Sequence, residues 1–200
     1  MKILRFSIFD FQFSIFDSLL SSGCFLLAFL GALAAHAQQP PPQPSEYEVK
    51  AAFLYNFAKF VEWPSQAFSD AGSPFTIGVV GDNPFGDDLE RTLRDKAVNG
   101  HPIAAKQVKA PSELRTCHIL FISPSEKKRL PDILKLIRDA GVLTVSEMED
   151  FLPAGGMINF LMVDNKVRFE INDEPAKRAG LRLSSKLLHL GKRSERAGAK

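Results

Sequence analysis

Two short, almost unbroken apolar runs, FTIGVVG at 75–81 and CHILFIS at 117–123, constrain this chain most. A strand with one wet face alternates apolar and polar residues. A run that is apolar at nearly every position has to be covered on both faces, as central strands of parallel sheets are. The segments that follow them have helical spacing. Phe85, Leu89 and Leu93 repeat at every fourth position, with Asp82 or Asn83 as cap and Pro84 in the first turn of a helix reaching about Arg94. Leu130, Ile133, Leu134 and Ile137 form a second helical stripe that stops at Gly141. VLTVS at 142–146 supplies another strand, and a short one is expected near 102–109 after the Asn99-Gly100 turn.

Strands and helices in alternation predict an α/β fold, a single domain with a mainly parallel sheet flanked by helices. MINFLMV and KVRFEIN, joined by Asp164-Asn165, predict a C-terminal β-hairpin, which makes the sheet mixed. Ser146 and Glu149 have capping-box spacing for a short helix. Asp173-Glu174-Pro175 opens another that ends at Gly180, and Ser184 caps a last one containing Leu187 and Leu188. The whole chain is 45% hydrophobic and 24% charged with a net charge of +2, which fits one globular domain and offers no basic stripe for nucleic acid.

Ahead of the domain, SSGCFLLAFLGALAAHA ends in the A-x-A pattern Ala35-His36-Ala37 and follows Lys2 and Arg5. Residues 1–37 are therefore expected to be a signal peptide cut after Ala37, with the mature protein exported to the periplasm. The run from Cys24 to Ala35 is shorter than the roughly 20 apolar residues of a membrane span. FSIFD occurs at 6–10 and again at 13–17, which pushes the apolar core far from Met1 and points to initiation downstream. Residues 38–45, QQPPPQPS, read as a Pro-rich linker, 46–191 as the folded domain, and 192–200 as a basic disordered tail. After cleavage Cys117 is the lone cysteine, so no intrachain disulfide can form, and its place beside HILFI marks it as a core thiol.

The segment YEVKAAFLYNFAKFVEWP, 47–64, carries an aromatic arc when wound as a helix from Ser45-Glu46 up to Pro64. Val49, Phe53, Leu54, Phe57, Phe60 and Val61 share the core side, and Lys50 falls among them, so it must reach outward or find an acid. Tyr55, Lys59 and Glu62 lie on the opposite side. Trp63 sits where the helix must break before Pro64. Exposed amphipathic aromatics serve as interface anchors, so Tyr55, Lys59, Glu62 and Trp63 are candidate partner contacts.

No catalytic signature emerges. VVGDNPFGD matches neither dinucleotide nor phosphate-loop spacing, and its acids would repel phosphate. His101, His118 and His189 lack metal-ligand spacing, no metal site or cofactor is implied, and Ser184-Ser185-Lys186 reads as a helix cap. A phospho-receiver would need an acceptor aspartate where CHILFIS ends in Ser123. As open α/β sheets bind ligands beyond the carboxyl ends of their strands, Asp82, Asn83, Ser123 and Ser146 are candidate ligand contacts.

The opening run EYEVKAAFLYNFAKFVEWP, followed in order by FTIGVVGDNPFG, CHILFIS, VLTVSEMEDF, GGMINF, VRFEIN and AGLRLSSKLL, resembles the YfiR family of exported bacterial proteins over almost the whole mature domain. The resemblance implies a compact periplasmic α/β domain, often self-associating as a homodimer, without catalytic activity. It further implies a regulator that binds the periplasmic sensor region of an inner-membrane diguanylate cyclase and keeps cyclic-di-GMP low. An envelope signal or an outer-membrane lipoprotein would relieve that restraint. A sensor kinase is the other partner class, and a small-molecule-binding module feeding a sensor kinase or transporter is the alternative function. Family members of the cyclase-restraining type tend to use disulfides; with only Cys117, this chain departs from that pattern.

Overall fold

The computed structural model describes residues 43–68, 70 and 72–193. The signal peptide expected at 1–37 and most of the Pro-rich linker lie outside these residues, as does the tail beyond 193. The first helix, α1 (Glu46–Phe60), begins where the sequence places it. The Ser45 hydroxyl accepts from the Glu48 backbone N–H at 3.1 Å, and the Glu48 carboxylate accepts from the Ser45 N–H at 2.7 Å. This reciprocal capping box satisfies donors that a helix start otherwise leaves unpaired. The helix ends earlier than expected. Val61–Glu62 turn extended as β1, so Glu62 and Trp63 leave the helical face assigned to them.

After a 3-10 turn at Ser65–Ala67 come β2 (Phe75–Val80), α2 (Asp88–Leu93), β3 (Ala97–Val98) and β4 (His101–Val108). α2 starts later than the cap-and-proline signal suggested. Asn83 Oδ1 accepts from the Phe85 N–H at 3.0 Å, closing a side-chain turn in place of a helical one. The chain continues through a 3-10 turn at Pro111–Thr116 into β5 (Ile119–Ile122). A further 3-10 turn at Pro124–Arg129 leads to α3 (Leu130–Ile137) and β6 (Leu143–Ser146). The short helix predicted from Ser146 and Glu149 does not form. Residues 149–155 run as turns, and Ser146 Oγ is buried, donating to the Ile122 carbonyl at 2.7 Å.

The hairpin is β7 (Ile158–Val163) and β8 (Lys166–Ile171), turned at Asp164 and Asn165 with positive φ of 48° and 59°. Then follow α4 (Asp173–Arg178), β9 (Arg182–Leu183), α5 (Ser185–Leu190) and β10 (Lys192–Arg193). β10 takes two residues into the sheet from the segment expected to be tail.

The sheet has eight strands in the order β10-β8-β7-β6-β5-β2-β4-β3. Five of the neighbour pairs are parallel. The β7–β8 and β3–β4 pairs are antiparallel. The run β4-β2-β5-β6-β7 is the doubly wound order found in flavodoxin-type folds. A separate two-stranded ribbon pairs β1 with β9, Val61 opposite Leu183, and ties the end of α1 to the chain before α5.

Each sheet face has its own core. Phe75, Ile77 and Val79 of β2, with Ile119 and Phe121 of β5, point toward α1, α2 and α5. Leu120 and Ile122 of β5 point toward Ile133 and Ile137 of α3. That double cover is why the two apolar runs scarcely alternate. On the α1 side, Phe53 and Phe57 pack against Phe160 and Phe169 of the hairpin with ring centroids 5.1–6.0 Å apart.

Candidate functional site

The carboxyl ends of β2 and β5, where the strand order reverses, are the place to look for a ligand crevice. Here the chain fills part of it and leaves a groove of about 200 Å³ lined by Gly81, Gln107, Lys109, Glu126 and Arg129. Gly81 turns with φ +86°, and a Cβ there would lie 2.4 Å from Ser125 Oγ and 3.1 Å from Ser123 Cβ. The Asp82 N–H donates to Ser125 Oγ at 2.9 Å, while Gln107 Nε2 donates to the Gly81 carbonyl at 2.6 Å. Ser125 Oγ lies 3.3 Å from Ser123 Oγ. The 3-10 turn at 124–129 thus narrows the space beside Gly81.

The four candidate ligand residues separate accordingly. Asp82 and Asn83 are exposed, and the Asn83 amide is spent on Phe85 N–H and the Gly86 carbonyl. Ser123 and Ser146 are 3% and 0% exposed; the Ser123 hydroxyl accepts from the Ser125 N–H and hydroxyl, and the Ser146 hydroxyl donates to the Ile122 carbonyl. The structure links Asp82 to Ser123 through Ser125, a residue that no sequence motif singles out, and it buries both Ser123 and Ser146.

The four candidate partner residues are exposed or half-buried, but Trp63 turns its polar atom inward. Tyr55 is half-buried and carries Lys96 Nζ at 4.7 Å and Lys59 Nζ at 5.4 Å from its ring centroid. Each ammonium faces the negative π-cloud of the phenol ring. Lys59 is exposed, and Glu62 on β1 faces Arg182 across the ribbon at 3.9 Å, both freely solvated. Trp63 is half-buried, and its indole N–H is used internally, donating to the His118 carbonyl at 3.2 Å. Its ring stands edge-on to Phe75, centroids 4.8 Å apart.

Beneath Trp63 lies an aromatic stack. His101 covers Phe68 at 4.0 Å, Phe68 covers His118 at 4.6 Å, and His118 covers Phe75 at 4.6 Å. His118 Nδ1 accepts from the Thr76 N–H at 3.1 Å, which leaves Nε2–H to donate to the Ala67 carbonyl at 3.1 Å. Burial pushes the His118 pKa below the usual histidine value, and the neighbouring His101 adds to this. Both ring nitrogens serve the backbone, so this histidine holds the loop after β1 in place.

Cys117 is 4% exposed, its Sγ lies 3.5 Å from the Glu113 carbonyl, and burial raises its pKa to about 11. It is a core thiol, as its position beside HILFI predicted. Among the described residues, no group of three or more His, Cys, Asp or Glu is placed to hold a metal ion, and no helix is long and apolar enough to cross a membrane. Sequence reasoning missed the exposed apolar side chains Leu136, Met162, Val163 and Leu190, because each sits inside a run whose other members are core.

A solved structure described as a conserved domain protein from Vibrio cholerae O1 biovar El Tor has the same fold at a TM-score of 0.51 and 10% sequence identity. The match covers 76% of this chain and 60% of that one, so the chain spans well under two thirds of its neighbour's length. No curated protein matches the chain. Residues 47–192, from the second residue of α1 to the first of β10, match the YfiR/HmsC-like family, and the chain belongs to that family.

Proposed function

We propose that this protein is a non-catalytic periplasmic regulator that docks on the periplasmic sensor region of an inner-membrane signalling protein. Its partner is a diguanylate cyclase, which it represses, lowering cyclic-di-GMP. The observation that carries this reading is the family match across 47–192, the entire folded domain. The geometry supports it in two ways. The strand-end crevice is narrowed by the protein's own Ser123–Glu126 segment, and the buried His118 is committed to backbone partners. Such groups are poorly placed to act on a substrate.

Docking would act by population shift: the protein binds one conformation of the sensor region better than the other, and the cyclase follows across the membrane. The strip formed by Tyr55, Lys59 and Glu62, on the outside of α1 and the β1–β9 ribbon, is the surface we assign to this contact. Tyr55 is its aromatic centre and Lys59 and Glu62 its charged rim. The test is capture of detergent-solubilised membranes on the immobilised mature domain. Recovery of a membrane cyclase, together with raised cyclic-di-GMP when the gene is deleted, is expected. Recovery of no membrane signalling protein, with cyclic-di-GMP unchanged by deletion, would remove the proposal.

A further inference from the structure

One open cavity of the domain lies away from the strand ends. It is a groove of about 590 Å³ between α3, α4 and the loop that leads from β6 to β7. That volume falls within the roughly 300–1,000 Å³ of ordinary small-molecule sites. Its floor is apolar. Ile137 and Met157 are 1% and 4% exposed, and Pro175 at the head of α4 is buried as well.

The rim is cationic. Lys135 and Arg138 project from the last turn of α3, three residues apart and so on one side of it, and Arg178 closes α4. No acidic side chain lines the groove. Among the described residues no carboxylate pairs with any of these three cations, a state they share with exposed cations elsewhere such as Arg94, Arg115 and Lys128, so it is their convergence on one cavity that sets them apart.

Cations favour helix C-termini, where the carbonyl ends of the backbone dipoles attract them. That accounts for a cation at the end of either helix taken alone. It does not account for two helix ends converging on one cavity with their cations unpaired. Nor is general basicity the cause, as the whole chain carries a net charge of only +2. Uncompensated positive charge around an apolar floor is complementary to one kind of ligand.

We propose that this groove binds a small amphipathic anion, an apolar chain or ring that lies on Ile137, Met157 and Pro175 with a carboxylate or sulfonate held by Lys135, Arg138 and Arg178. The site stands on its own geometry and does not depend on the docking reading. It also moves the ligand-binding role away from the strand ends, where Ser125 packs against Gly81.

The test uses the mature protein and the fluorescent anion 8-anilinonaphthalene-1-sulfonate, whose emission rises in apolar sites, with dodecanoate as displacer. Saturable one-site binding is expected, with dodecanoate displacing the dye far better than inorganic phosphate or dodecyltrimethylammonium. The triple variant K135Q/R138Q/R178Q should lose at least tenfold in affinity for both anions. The variant R94Q/R115Q/K128Q, which removes the same charge from exposed positions elsewhere, should bind like the parent. All six side chains are exposed, so melting temperatures should stay level and report that both variants fold. Independently of any variant, dodecanoate should shift the ¹³C-methyl resonance of Met157 in the parent protein. Equal loss in both variants, equal displacement by phosphate, or an unmoved Met157 methyl would each overturn the proposal.

Discussion

Lys50, on the core side of α1, is ion-paired to Glu147, 97 residues further along the chain. The ammonium is 3% exposed and also donates to Glu46 one turn earlier, while the Tyr47 hydroxyl donates to the other Glu147 oxygen at 3.1 Å. Burial alone would lower the Lys50 pKa, but the hydrogen bonds it donates to the Glu147 and Glu46 carboxylates outweigh it and hold it above the usual lysine value. The cation is therefore permanent, and α1 is pinned to the loop after β6 by it. Glu147→Ala leaves that cation buried with only the 41%-exposed Glu46 side chain for company. Stripping one partner from a buried pair costs about 3–5 kcal/mol, and the surviving Glu46 contact puts this case at the low end. Lys50→Met, which removes the charge and keeps the volume, should cost far less. Urea unfolding of the two variants checks the order, and a Lys50→Met variant less stable than Glu147→Ala would refute the account.

Gly78 of β2 and Cys117, two residues ahead of β5, pack as a complementary pair. A Cβ on Gly78 would lie 2.4 Å from Cys117 Sγ, 2.9 Å from Val108 Cγ2 and 3.3 Å from Leu120 Cδ1. Gly78→Ala should destabilise by about 1–3 kcal/mol through overpacking. Cys117→Ala in the same chain should restore part of the loss, because the closest clash is with the sulfur itself. A double-mutant cycle in guanidinium measures the coupling. With the thiol pKa raised to about 11, the native protein should also resist alkylation by iodoacetamide at pH 8 and react once unfolded.

Local signals in the sequence carried most of the architecture. The continuous apolar runs became central strands β2 and β5, and Asp164-Asn165 became the hairpin turn, because both features act over a few residues. What did not show was settled by distant pairing. Val61–Glu62 has helical spacing with the rest of α1, yet goes extended because Arg182–Leu183 offers backbone partners. Ser146 has a cap's spacing, but its hydroxyl finds the Ile122 carbonyl on the adjacent strand. The groove between α3 and α4 was illegible for a related reason: Lys135, Arg138 and Arg178 look like ordinary helix-end cations until two helix ends meet.

His118 gives stability a defined pH dependence. Its folded pKa is depressed, first by burial, below the ordinary value of about 6.5. The unfolded chain therefore takes up the proton more readily than the folded one. The contribution is fully present above the unfolded value and is lost as pH falls through the lower folded value. Protonation would also put a hydrogen on Nδ1, facing the Thr76 N–H that it now accepts from. Melting temperature should fall between pH 7 and pH 5 in the parent. In His118→Phe, which keeps the stack on Phe68 and Phe75 but cannot titrate, the same interval should be flatter, from a lower starting point. A slope unchanged by the substitution would show that other groups set it.

Trp63 and Lys59 should separate fold from docking. Trp63 is tied inward through the His118 carbonyl and Phe75, so Trp63→Ala should cost about 2–4 kcal/mol, somewhat less than a fully buried aromatic. Any effect on partner capture would then follow from a disturbed β1 and its ribbon to β9. Lys59 is exposed and touches only the Tyr55 ring, so Lys59→Glu should leave the melting temperature within about a degree or two of the parent, as expected for exposed charges. If α1 and the ribbon form the contact, Lys59→Glu should weaken capture of the membrane partner at least tenfold, because a reversed rim charge acts on association directly. Capture assays at two salt concentrations, read beside thermal melts of both variants, decide the matter. Full capture by Lys59→Glu at low salt would move the docking surface off this strip.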